Sequence, residues 1–176
     1  MAELEIHHET ENETDPVGKR VGVLAAILAV LLAVVTIASH REHTAAIIEK
    51  SAANDEWSHY QSSRLKFHNL ELGESLIKLM APKGESTTAA LEDYAAQKTK
   101  YTEQANHIQE LAKETAEKAD GSEHRALRYD LGEGLLEVGL VLSSIYFISR
   151  KLMFPAIGLM AGLTGAGIAL TGLFLH

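Results

Sequence analysis

Residues Ala81, Pro82, Lys83, Gly84, Glu85 and Ser86 form the clearest turn composition in the chain. Proline fixes φ and lacks a backbone donor, and glycine opens conformations other residues avoid, so a helix entering this stretch ends there. Segments of similar length flank it, 41 residues in 40–80 and 44 in 87–130. Matched arms around one turn predict an antiparallel helical hairpin. Fully helical, each arm would reach ~60 Å. Gly73 and Asp120-Gly121 are places where an arm would instead break, giving a shorter bundle.

Residues 40–130 carry 12 basic and 16 acidic side chains and almost no strand signal. The return arm has a heptad seam: Leu91, Tyr94, Lys98, Tyr101, Ala105, Ile108, Ala112, Thr115 and Ala119, with Lys98 its one flaw. The outgoing arm offers Leu65, Asn69, Leu72, Leu76 and Leu79. Carried back, the same spacing reads Ile48, Ser51, Asp55, Ser58 and Ser62, too polar to bury alone. The distal half is therefore expected to zip by itself, and the proximal half to need a third helix or another chain.

Beyond the arms lie three apolar blocks. Val21 to Ser39 has 19 residues without a charge, about 28 Å of helix, close to the ~30 Å hydrocarbon thickness. Leu152 to Leu175 has 24 uncharged residues. Leu131 to Ser149 contains Glu133 and Glu137, and its uncharged remainder, Val138 to Ser149, would span only ~18 Å; we read it as a span with Glu137 at the hydrocarbon edge. The fold expected is all-α: an integral membrane protein with an acidic cytoplasmic tail (1–20), transmembrane helices at 21–39, 131–149 and 152–175, and an extracytoplasmic, coiled-coil-like hairpin at 40–130.

The leader carries six acidic residues before Lys19 and Arg20, unlike a short basic signal region, so the first block reads as a retained anchor. Lys19-Arg20 and Arg150-Lys151 fall on one side of three spans, which makes that side cytoplasmic. The expected home is a bacterial inner membrane, with residues 40–130 and the C-terminus periplasmic.

Composition narrows the function classes. The 176 residues include no cysteine, which excludes disulfides, thiolate metal sites and thiol nucleophiles. A net charge of −8 argues against nucleic acid as a partner. One Trp and 6% aromatics argue against a large aromatic-lined pocket. No phosphate loop, no nucleophile elbow and no converging set of nucleophile, base and stabiliser is visible. The expectation is a non-enzyme without a cofactor.

The stretch from Asn54 to Lys66, NDEWSHYQSSRLK, resembles a segment of an uncharacterised bacterial family of three-span membrane proteins, a domain of unknown function. Those proteins share the order of parts over roughly 19–176. The resemblance implies an architecture and a bacterial membrane home, and it carries over no catalytic residue.

Several residues invite a role. Trp57, Tyr60, Gln61 and Arg64 share a helical face by offset, either as a packing anchor or as a docking face for a partner, since Trp, Tyr and Arg dominate interface hot spots. Trp57 lies 18 residues past Ser39, about 27 Å along a helix, too far out for a belt aromatic. Glu133 and Glu137 sit ~3 and ~9 Å into their span at helical rise. Glu133 can snorkel; Glu137 needs a partner, with Thr36 and Thr171 nearest in depth. An assembly role is the plainer reading, proton or cation handling the sharper one. Gly158, Gly162, Gly165, Ala169 and Gly172 form a small-residue stripe, read equally as packing on span two or as an interface with another protein. His7-His8, and His40 with His43 and His124, raise a metal reading, but a stable site wants three or four ligands and none is expected. The partners expected are the lipid bilayer and other membrane subunits or further copies of the chain.

Overall fold

The structure is a computed structural model that describes residues 15–174. Expectations for most of the acidic tail, with His7 and His8, and for Leu175 lie outside the described residues. The described chain forms three helices, α1 (Pro16–Met80), α2 (Glu85–Ser149) and α3 (Met153–Gly172). All three are long and apolar enough to cross a membrane, compatible with a multi-pass membrane protein.

Local sequence sets the ends. Asp15 caps α1: its Oδ1 accepts from the Val17 amide at 3.0 Å, and Pro16 takes the first helical position, where its missing N–H costs nothing. Residues 16–20, read as tail, are thus the start of the helix. α1 stops at Met80, where the Ala81 amide donates to the Ile77 carbonyl at 2.9 Å. α2 restarts at Glu85, and the Thr87 hydroxyl donates to the Pro82 carbonyl at 2.8 Å. Neither Gly73 nor Asp120-Gly121 breaks an arm. One helical glycine costs only about 1 kcal/mol, less than strong formers on both sides supply. At Arg150, φ is +56°, the left-handed turn that closes many helices, and its amide donates to the Tyr146 carbonyl at 2.8 Å.

The chain divides into two compact units: the residues up to Ile37 with Tyr129–Thr171, and Ala38–Arg128 with the end from Gly172.

In the Ala38–Arg128 unit, α1 and α2 pair antiparallel. Glu42 meets Arg125, Lys50 meets Glu123, Lys66 lies over Tyr101 and Glu74 meets Lys98, one number falling as the other rises. The return arm's seam lies inside: Ala105, Ile108, Ala112 and Ala119 are buried, and Ser122 and Ala126 continue the row. The outgoing arm's expected seam is corrected. Ile48, Leu65, Leu72, Leu76 and Leu79 are exposed. The buried positions are Ala46, Ala53 and Ser63, with Tyr60, Phe67, Leu70 and Ile77 half-buried in the same register. Shape explains the choice. At Ala46, Ala53 and Ser63 the partner row of alanines admits α1 closely only through small side chains, where leucines would hold the backbones apart; farther out, Phe67, Leu70 and Ile77 face the larger residues of the return arm.

In the other unit all three helices meet. Val21, Leu28, Leu136, Tyr146 and Ala169 are buried, and Leu136 is fully enclosed. Val23, Val30, Val34, Val141, Ile148 and Met160 face outward. So apolar an exterior is a liability in water and ordinary in hydrocarbon.

Candidate functional site

The unit that contains the candidate spans, called the span unit below, is held by backbone contact. A Cβ built on Gly165 would lie 2.6 Å from the Gly132 carbonyl oxygen, and one on Gly158 would lie 2.6 Å from that of Gly139. Conversely, a Cβ on Gly132 would meet the Gly165 carbonyl and the Ala169 methyl, each at 2.7 Å. A Cβ on Gly162 would strike Leu28 of α1. The stripe from Gly158 to Ala169 is therefore buried against α2 and α1. Gly172 is buried too.

Depth along the helices points to Thr36 and Thr171 as donors for Glu137. The Thr36 hydroxyl donates instead to Glu133, at 2.7 Å. Thr171 donates to the Ile168 carbonyl of its own helix at 2.6 Å. Helical phase explains the swap. With enclosed Leu136 marking the inward direction, Glu133 lies about 60° from it and Glu137 about 100° at ~100° per residue. Glu133 still reaches α1. Glu137 is exposed, and no hydrogen bond or ion pair reaches it among the described residues. Ser143 and Ser144, the hydroxyls next along α2, donate to backbone carbonyls of their own helix.

A cluster that the sequence reading missed lies at the end of this unit. The Tyr146 hydroxyl donates to Asp15 at 3.2 Å, and an Arg150 Nη donates to the same carboxylate at 2.5 Å. The Gly18 amide does most to hold the Asp15 carboxyl below its ordinary range, helped by Tyr146, the Val17 amide and Arg150. Separated by 135 positions, Asp15 and Arg150 left no periodic trace in the sequence.

In the paired arms the polar groups sit beside the alanine seam. Arg125 donates to Glu42 at 2.9 Å and to the Ser122 hydroxyl at 3.0 Å, while Ser122 donates to Glu49 at 2.8 Å. Lys50 pairs with Glu123; that bond lowers the carboxyl and raises the amine. Glu74 accepts from Lys78 at 2.6 Å and also from Lys98, and these two bonds pull its carboxyl down to about 2. Lys98, the flaw in the seam, is thus neutralised across the pair.

The candidate docking residues divide. Trp57 is half-buried edge-on to Tyr60, with centroids 5.6 Å apart, and Tyr60 belongs to the seam register. Gln61 is exposed, and Arg64 lies over Phe67 at 5.3 Å. Among the described residues no three His, Asp or Glu side chains form a group able to hold a metal, His40, His43 and His124 included.

Residues 17–175 match a family defined as a domain of unknown function, DUF4337. The chain belongs to the DUF4337 family. No curated protein and no solved structure matches it. The DUF4337 match runs through all three helices, so the glycine contacts, the Thr36–Glu133 bond and the alanine seam all lie inside the family region. In this DUF4337 chain, Glu137 on a candidate span and Leu65, Leu72, Leu76 and Leu79 of α1 stand outside the internal contacts.

Proposed function

We propose that this DUF4337 chain is a non-enzymatic accessory or scaffold subunit of a bacterial inner-membrane assembly. In this reading α1, the end of α2 and α3 cross the bilayer, and residues 40–130 stand in the periplasm as a helical hairpin. Lys19-Arg20 and Arg150-Lys151 support a cytoplasmic N-terminus.

The observation that carries the proposal is Glu137, a carboxylate on a candidate span, exposed and without a partner among the described residues. An ionisable group in a span is costly, and such groups pair inside a bundle or with another chain. Its own bundle has turned it outward. A neighbouring subunit supplies the missing partner.

Native mass spectrometry on protein extracted gently from its own membrane tests this. Wild type should travel with further chains, and Glu137→Leu should lose them while keeping its helical circular dichroism. Wild type running as a bare monomer would overturn the proposal. The competing reading, proton or cation movement through Glu137, predicts liposome flux that Glu137→Gln abolishes. The engagement of Ser143 and Ser144 with their own backbone argues against a polar relay inward from it.

A further inference from the structure

The leucine row on α1 is unused by the fold. Leu65, Leu72, Leu76 and Leu79 are 63, 62, 48 and 82% exposed. Exposed Asn69 completes steps of four, three, four and three. In heptad terms Leu65, Leu72 and Leu79 occupy one core position, Asn69 and Leu76 the other. The row lies about 200° around α1 from the seam residues Ser63, Phe67 and Leu70, at ~100° per residue, and so on the side away from α2.

We infer that this row is a homotypic docking face, on which the Leu65–Leu79 face of a second copy seats parallel and in register, with the two Asn69 amides paired. It rests on the membrane reading above, because insertion in one sense is what makes two copies parallel.

Three observations select a second copy. The first is Asn69, which has no hydrogen bond among the described residues. A carboxamide is both donor and acceptor, so an identical Asn in register satisfies it, and one such Asn at a core position specifies register and oligomeric state. A lipid surface would desolvate that amide without a partner.

The second is charge. The positions flanking the row are Gln61, Lys66, His68, Gly73, Ser75 and Met80. In a parallel pair the position opposite Lys66 is Gln61 of the other copy, and Lys66 itself leans onto Tyr101 of its own α2, so no like charges oppose one another, although the whole chain carries −8. A foreign helix would be selected through several charged flanks, and this row has Lys66 alone.

The third is size. The row covers two heptads, about 22 Å of helix. One face of two helical turns per heptad over that length buries less than the ~800 Å² per partner of a stable interface, so the contact depends on confinement to one membrane. A second copy meets that condition by construction, since it is inserted in the same membrane in the same sense.

The absence of cysteine makes a direct test clean. Full-length Leu72→Cys and, separately, Leu65→Cys are oxidised mildly in native membranes, with Lys100→Cys on exposed α2 surface as control. Both leucine variants should give a disulfide band at twice the monomer mass, and Lys100→Cys should not. Adding Leu76→Glu to Leu72→Cys should abolish the band without changing helical circular dichroism. Monomeric leucine variants, or equal cross-linking of all three, would overturn the inference. A cross-link to a different chain would also overturn it, yet leave the accessory-subunit reading standing. Lone migration of wild type in the native measurement would remove both.

Discussion

The two units solve one problem, bringing helices close, by opposite means. In the span unit the contact is made from glycine: the Gly132 and Gly139 backbones touch those of Gly165 and Gly158. In the paired arms it is made from alanine, bordered by Glu42–Arg125, Glu49–Ser122 and Glu74–Lys98. Helices in hydrocarbon gain nothing from hiding apolar surface from one another, so they depend on dispersion at close range, which glycine permits. Helices with charged exteriors do gain from burial, but alanine buries little, and the flanking charges fix which residue faces which. On the membrane reading proposed above, close packing is therefore a driving force in one unit and mainly a constraint on register in the other.

The sharpest way to break this comparison is to insert bulk into both. Gly165→Leu should destabilise the span unit by about 3 kcal/mol or more, since a backbone carbonyl cannot yield as a side chain does. Thermal unfolding in detergent would check this, and an unchanged midpoint would refute glycine contact as the driving force. Ala112→Leu, at a fully buried seam position, should cost less, about 2 kcal/mol, because the arms can part locally. Faster hydrogen exchange confined to the Ala38–Arg128 unit is the expected sign, and exchange equal to wild type would mean the seam carries no packing constraint.

Smaller changes sharpen it. Thr36→Val removes the donor to Glu133 and should cost about 0.6 kcal/mol and at most about 1.7, the average and upper end for hydrogen bonds between membrane helices. Unfolding of Thr36→Val beside wild type measures that loss. The least effect on stability belongs to the charges that border the seam. The Glu74 carboxyl, held to about 2, lies below its ordinary 4.5. Its contribution is thus present above about 4.5 and fades as pH falls toward about 2. A side-chain NMR titration should give that low midpoint in wild type and a higher one in Lys98→Ala; identical midpoints would show that Lys98 does not hold the carboxyl.

The contrast also explains what was legible. The apolar blocks and the turn at 81–84 stood out because runs of hydrophobicity, proline and glycine act locally. The return-arm seam was readable because its alanines and Ile108 keep heptad spacing. The matching face of α1 was not, because ranking by hydrophobicity selects Leu65 and Leu72 over Ala46, Ala53 and Ser63, while a groove of alanines selects by size. Counting depth found the level of Thr36 but not its partner, which helical phase decides. The Asp15, Tyr146 and Arg150 cluster depends on a left-handed residue between α2 and α3, a feature without periodicity.

The contact at Gly139 has a genetic consequence. The three atoms nearest to a Cβ there are all backbone: the Gly158 carbonyl oxygen at 2.7 Å and the Gly162 nitrogen and Cα at 3.1 and 3.3 Å. A lesion at this position leaves no opposing side chain to shorten. Suppressors selected against Gly139→Val should therefore arise not among the residues it strikes but at sites that let α3 slide or tilt as a whole.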